Sequence, residues 1–257
     1  MNFIYLSRLW KLKAFSVSRK EVKIIMYHDL INKKVFEKQM LYLKNNYKVI
    51  SLEDYIESIN LGRKLQDNSI IITFDDGYKS TYSIALPILN KLELKATVFV
   101  PPALLNNNDE GSKNKMMSAK QLKELSKCEF MDIGGHTLNH VDLGKLKYNE
   151  AYEEILMGKR TLEELLNKKI TTFAYPFGKK CNYNADTIEI VQKSGFSGAV
   201  TTNRSKNIDI GKDSIYELNR IGIDNRDTFE IFVTKINRCY PYKTIGYLAK
   251  LKNISGV

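Results

Sequence analysis

"SIIITFDDGY", residues 69–78, runs an apolar, strand-forming segment straight into two adjacent carboxylates, Asp75 and Asp76, followed by Gly77. The segment reads as a buried strand that opens into a loop. On its own, the Asp-Gly pair is an ordinary turn former. Adjacent carboxylates point in different directions, however, so one can hold a cation while the other faces a substrate. A metal nearby keeps both ionised at neutral pH.

Outward from this strand, short β-type runs alternate with helical stretches along nearly the whole chain. Strands are expected at 23–27, 47–50, 69–74, 96–100, 131–134, 171–175, 197–201 and 216–223. Helices are expected at 35–45, 52–60, 79–92, 118–126, 149–167, 185–194 and 228–237. Ser51 and Ser118 suit N-caps, Gly195 suits a helix stop, and Pro87 should kink its helix or start a new turn. Residues 104–116 read as a flexible loop. The alternation predicts parallel strands joined by crossover helices, hence one barrel-like α/β domain of about seven to eight strands. That domain is assigned to residues 21–239, with a basic, partly aromatic arm at 1–20 and an extension at 240–257.

Chemistry in barrels gathers where strands lead into βα loops. His28 follows strand 23–27, the two aspartates follow 69–74, His136 and His140 follow 131–134, and "PFG" follows 171–175, so four segments converge on one mouth. The chain has only three histidines. "GGHTLNH" places two of them four residues apart, a spacing at which both can face one cation. Alone, that spacing is equally that of two unrelated surface histidines. Joined with Asp76 it becomes a two-histidine, one-carboxylate set with a position left for water, the pattern of a catalytic rather than a structural zinc site.

Bulk properties narrow the field. With 257 residues and 43% hydrophobic content the chain can bury a sizeable core. A formal charge of +11 is compatible with an anionic glycan or peripheral contact with a membrane surface. Its lysines are scattered, and no arginine-rich or aromatic-interleaved block marks a nucleic-acid binder, so no nucleic-acid partner is expected. Cys128, Cys181 and Cys239 lack any CxxC spacing, which fits a reducing compartment. The first twenty residues lack the uninterrupted apolar core of a signal peptide, and no segment has the run of a spanning helix. A soluble, cytoplasmic protein is therefore expected, with its basic arm packed on the domain or lying on a membrane surface. Oligomeric state is not legible.

"TFDDGY", "GGHTLNHVDL" and "FAYPFG", in this order, resemble the motifs of the polysaccharide deacetylases, the NodB-homology domain of carbohydrate esterase family 4. The resemblance covers roughly residues 21–225. It implies a distorted (β/α) barrel and metal-dependent hydrolysis of an acyl group, usually acetyl, from an amino sugar in a glycan or lipid-linked precursor. By motif position it makes Asp75 the general base and Asp76, His136 and His140 the ligands of a divalent metal, zinc by preference. Most of the family carries its acid histidine late. "IIMYHDL" (24–30) has that strand-then-His-Asp form at the beginning, which resembles the circularly permuted branch containing the poly-N-acetylglucosamine deacetylases. His28 is then the general acid, and Met26, two residues earlier on the same strand face, lines the acyl pocket. Pro176 and Phe177 belong to the substrate-binding motif, with the Phe177 backbone N–H as oxyanion donor, while Tyr175 and Tyr78 either offer aromatic faces for a sugar or are simply core or rim residues.

Two departures qualify this. The motif arginine that orients the base is replaced by Ala174, for which Arg220 is a candidate substitute or simply a structural ion pair. The late Asp-Trp motif is absent, the sole tryptophan being Trp10. The same site also permits O-deacetylation or deformylation, since it activates water without naming the leaving atom. A non-catalytic carbohydrate-binding relative is the further alternative, disfavoured by the presence of base, acid and all three ligands.

Overall fold

A computed structural model describes residues 22–63, 65, 68–106, 115–203, 207 and 211–237. The expected arm at 1–20 and extension at 240–257 lie outside these residues, as do Trp10 and Cys239. The strands are β1 (Lys23–Tyr27), β2 (Lys48–Val49), β3 (Ser69–Phe74), β4 (Ala96–Val100), β5 (Met131–Gly135), β6 (Thr172–Ala174), β7 (Gly198–Val200) and β8 (Ile221–Gly222). The helices are α1 (Lys33–Asn46), α2 (Leu52–Asn60), α3 (Leu86–Leu92), α4 (Ala119–Leu125), α5 (Tyr148–Leu166), α6 (Ala185–Lys193) and α7 (Phe229–Asn237).

All eight strands join one parallel sheet in the order β7-β6-β5-β4-β3-β1-β8, with β2 paired to the start of β3. The sheet curls into a half-barrel with helices around it, the distorted (β/α) barrel expected. Leu218, just before β8, bridges back to Val200 of β7, which draws the two sheet edges together. Because every pairing is parallel, every strand delivers its C-terminal end to the same rim.

Residue alternation along the strands separates two cores. Ile25, Tyr27, Ile70, Ile72, Phe74, Met131 and Ile133 face outward, into the layer beneath the helices. Ile24, Ile71, Phe99, Ala174 and Val200 face inward, where Leu52, Tyr55 and Ile56 of α2 close the floor. Ser51 caps α2 by accepting the Asp54 N–H at 3.0 Å, and Ser118 caps α4 within a reciprocal capping box with Gln121. Continuing the same parity, Met26, Thr73, Asp75 and His136 point into the barrel.

Two expectations need correction, and a third lies largely outside the described residues. The helix expected over 79–92 divides into a wide π-turn at Thr81–Ala85 and then α3. Pro87 lacks the N–H that would continue α-type bonding, and the Leu86 N–H reaches back five residues to Thr81 O instead. Only two residues of the strand expected over 216–223 form β8; the rest is a 3-10 turn (Lys212–Glu217) and the bridge at Leu218. The Asn219 N–H is taken by the Asn207 side chain at 2.9 Å, which interrupts the ladder. Of the loop expected over 104–116, residues 107–114 are outside the described part. Its ends are braced on the acidic turn, through Met117 N–H to Gly77 O (3.0 Å) and Lys79 N–H to Lys115 O (2.8 Å). Among the described residues, no helix is long and apolar enough to cross a membrane.

Candidate active site

Asp75 leaves β3 with its N–H bonded to Tyr27 O at 2.9 Å, so the strand pairing continues into the site. Its carboxylate is almost wholly buried and is gripped in a fork by Arg220: Nη1 donates to Oδ1 at 2.6 Å and Nη2 to Oδ2 at 2.7 Å. The guanidinium is itself held, with Nε donating to Thr201 O at 2.9 Å and Nη1 also to Thr73 Oγ1 at 3.2 Å. Phe99 lies beneath it, 5.6 Å from ring centroid to Cζ. Burial pushes the Asp75 carboxyl up, but Arg220, aided by His136 and His28, outweighs it and holds the group below the usual carboxylate range.

Asp76 turns the opposite way. Its φ of +70° and that of Gly77, +74°, place two successive residues in the left-handed region. A side chain at Gly77 would also press on Val100, its Cβ 3.2 Å from Cγ1. Asp76 Oδ1 lies 3.4 Å from His136 Nε2 and 3.2 Å from His140 Nε2. His136 is buried at the end of β5, and its Nδ1 sits 2.7 Å from Ala174 O. A carbonyl only accepts, so Nδ1 carries the proton and Nε2 presents a lone pair to Asp76. Ala174 thus serves through its backbone, in the place where a side chain was expected to matter.

The ligand atoms of Asp76, His136 and His140 all fall within 4.8 Å of one another. Asp76 Oδ1 is sealed from solvent and has no hydrogen-bond partner among the described residues. An orphaned carboxylate oxygen facing an imidazole lone pair is unfavourable unless a positive charge sits between them. A divalent cation meets that need, and two imidazoles with one carboxylate are a donor set that suits zinc. Burial pushes the Asp76 carboxyl up, yet the two imidazoles, when they carry protons on Nε2, hold it far below its ordinary value. Burial lowers His140 while Asp76 raises it, and the raising prevails.

His140 reaches this position from a left-handed backbone (φ +58°), its N–H bonded to Thr137 Oγ1 at 2.9 Å. On the other side of Asp75, His28 is 47% exposed with Nε2 4.0 Å from Asp75 Oδ2. The loop that carries it is tied to the acidic turn: Ser80 Oγ donates to Asp29 Oδ1 (2.6 Å) and accepts the Leu30 N–H (2.9 Å). Met26 is buried below His28 on the inward face of β1.

Pro176 is buried, whereas Phe177 is 53% exposed and sets its ring 4.9 Å from that of His140. Its left-handed φ of +61° is held by Thr202, whose hydroxyl donates to Phe177 O at 2.8 Å. Tyr175 does not offer a face to the mouth. It points outward, wholly buried between Phe173 and Tyr183, because it is one residue out of step with inward-facing Ala174. The structure therefore brings Asp75, Asp76, His136, His140, His28 and Arg220 together and leaves Tyr175 out. Thr73 and Ser80, which hold these groups through their hydroxyls, and Thr201, which does so through its backbone carbonyl, were missed; neither small hydroxyls nor backbone carbonyls carry a sequence signal for such tasks.

A parallel barrel that gathers a two-histidine, one-aspartate cluster and an arginine-held aspartate at its strand ends has the form of a hydrolytic site able to hold a metal. The chain belongs to the polysaccharide deacetylase family: residues 62–199, over half of the 257, match the family's model. It is 28% identical over 203 residues to the poly-beta-1,6-N-acetyl-D-glucosamine N-deacetylase of Staphylococcus aureus (strain MRSA252), covering 76% of this chain and 64% of that protein. The chain thus spans about two thirds of the length of the curated relatives it matches. The Streptococcus pyogenes deacetylase PplD in complex with acetate superposes with a TM-score of 0.72 at 26% identity, covering 85% of this chain and 99% of that one. IcaB from Ammonifex degensii shares the fold, with a TM-score of 0.72 at 22% identity over 85% of this chain and 97% of that one.

Proposed function

We propose that the protein is a zinc-dependent carbohydrate N-deacetylase that hydrolyses the N-acetyl group of a hexosamine within a glycan. The observation that carries this reading is the orphaned Oδ1 of Asp76 between two imidazoles, set directly beside a second aspartate that Arg220 keeps ionised. Asp76, His136 and His140 would hold the cation. Bound there, it supplies Lewis acidity, polarising the amide carbonyl and lowering the pKa of water towards about 7.

The remaining work falls to the chain's own residues. Asp75, with its charge maintained by Arg220, accepts a proton from the water that attacks the carbonyl carbon. The Phe177 N–H donates to the oxygen on which negative charge develops. His28, exposed at the mouth and 4.0 Å from Asp75, gives a proton to the nitrogen as the carbon–nitrogen bond breaks. Met26 shapes the apolar end that receives the acyl methyl. The products are acetate and a free amine. Sequence similarity to a poly-beta-1,6-N-acetyl-D-glucosamine N-deacetylase supports the amide over the ester.

The test is a panel of N- and O-acetylated oligosaccharides incubated with and without chelator. Equal release of acetate and free amine, abolished by chelation and restored by zinc, is expected. Acetate without amine would move the reading to an esterase, and no release from any substrate would overturn it.

A further inference from the structure

We propose that Glu154 and Gly158, one turn apart on α5, are positioning residues that set cation affinity by seating the loop between His136 and His140. This rests on the metal reading above. Neither residue belongs to the ligand set, yet both bear on the backbone that carries it.

The Glu154 carboxylate receives three donors from the loop. Its Oε2 accepts the Leu138 N–H at 3.2 Å and the Asn139 N–H at 3.0 Å, while Oε1 accepts Asn139 Nδ2 at 2.7 Å. The Leu138 N–H also reaches the backbone carbonyl of Glu154, at 2.9 Å. The loop therefore lies directly on the helix backbone. That approach needs a gap in the side-chain wall, and Gly158 supplies it. A Cβ there would stand 2.5 Å from the Thr137 carbonyl carbon, 2.6 Å from its oxygen and 2.7 Å from Leu138 N. Helical Cβ atoms lean towards the N-terminus, so a side chain at 158 would cover the Glu154 carbonyl that the loop uses.

The seat matters because the loop is not at rest by itself. Thr137 and His140 both hold left-handed backbones, at φ +61° and +58°, which non-glycine residues keep only when their surroundings impose them. Thr137 Oγ1 closes the turn from within through the His140 N–H. Glu154 and Gly158 fix it from outside. Loosening them would let His140 Nε2 drift from its place 3.2 Å from Asp76 Oδ1, and outer partners of this kind typically govern metal affinity by about 10- to 100-fold.

The experiment titrates chelator-stripped protein with Zn2+ by calorimetry and with Co2+ by its visible absorption, for wild type, Glu154→Ala, Glu154→Gln and Gly158→Ala. Melting of the metal-free proteins checks that each is folded. Glu154→Ala should bind about 10- to 100-fold more weakly with an altered Co2+ spectrum, because a loosened loop changes ligand geometry. Glu154→Gln should recover most of the affinity, since the amide oxygen still accepts the two backbone N–H groups. Gly158→Ala should also bind more weakly, although alanine is the better helix former. Wild-type affinity and spectrum in Glu154→Ala would overturn the proposal; if that variant does not fold, wild-type behaviour of Gly158→Ala does so instead. A wild-type protein that binds neither ion would overturn the metal reading itself, an outcome visible before any variant is compared.

Discussion

Arg220 holds both oxygens of Asp75, at 2.6 and 2.7 Å, from a position 145 residues further along the chain. The two side chains are sealed inside the barrel, 0% and 3% exposed, and each is compensated by the other's opposite charge. Removing one member of such a pair leaves an uncompensated buried charge.

Arg220→Ala should therefore lower stability at pH 7 by about 3–5 kcal/mol, measured by denaturant unfolding. The sign with pH follows from the depressed Asp75 carboxyl. Its contribution is full above the ordinary carboxylate range and is lost as pH falls through the lower folded value, so the deficit of the variant should shrink in acid. Arg220→Lys, which keeps the charge without the fork, should fold better and shift the acid limb of kcat/KM to higher pH. An acid limb unmoved in that variant would show that Arg220 does not govern the base.

Asp75→Asn should retain stoichiometric zinc while turnover falls by about 100- to 10,000-fold, the usual span for removing a general base. Metal analysis and acetate release on the same sample check both halves. Near-normal turnover would remove Asp75 from the proton transfer.

His28→Ala leaves metal and stability nearly unchanged, since the ring is half exposed and an exposed substitution typically shifts stability by no more than about 0.5 kcal/mol. The expected loss is the alkaline limb of the rate profile together with most of the turnover. A profile with that limb intact would exclude the ring as the proton donor.

His136→Ala should abolish tight metal binding, because it deletes one of the proposed ligands together with the hydrogen bond to the Ala174 carbonyl. One equivalent of zinc bound with wild-type affinity, measured after dialysis, would show that the ligand set is different.

Asp132 offers a test away from the chemistry. It faces inward on β5 towards the barrel floor, where burial, then Glu53, raise its carboxyl from the usual 3.8 to about 6. A raised carboxyl binds its proton more tightly in the folded state, so stability falls as pH rises from about 4 to about 6 and stays reduced above. Asp132→Asn should therefore stabilise the protein at pH 7.5 by up to about 3 kcal/mol, with the gain vanishing below about pH 4. Thermal unfolding at the two pH values reads this directly, and an equal shift at both would contradict it.

The order of strands and helices, the two caps at Ser51 and Ser118, and the convergence of His28, Asp75, Asp76, His136 and His140 were all legible in the sequence. Parallel strands must deliver their ends to one rim, so polar residues placed just after apolar runs meet there whatever the details of packing. Arg220 as the partner of Asp75 could be suspected but not chosen over a surface pair, because its short, interrupted strand is brought against the barrel interior by long-range pairing with β1 and by the Val200–Leu218 bridge. Tyr175 was misjudged although the clue was present: in "FAYPFG" the inward face of a strand alternates, and Ala174 and Tyr175 cannot share it. Glu154 and Gly158 left no trace at all, since a glutamate and a glycine in a long helix look like a solvated face until a loop is laid against them. Local pattern thus determined which residues reach the rim. Which groups hold those residues in place was decided by register and close backbone approach, quantities that exist only once the chain has folded.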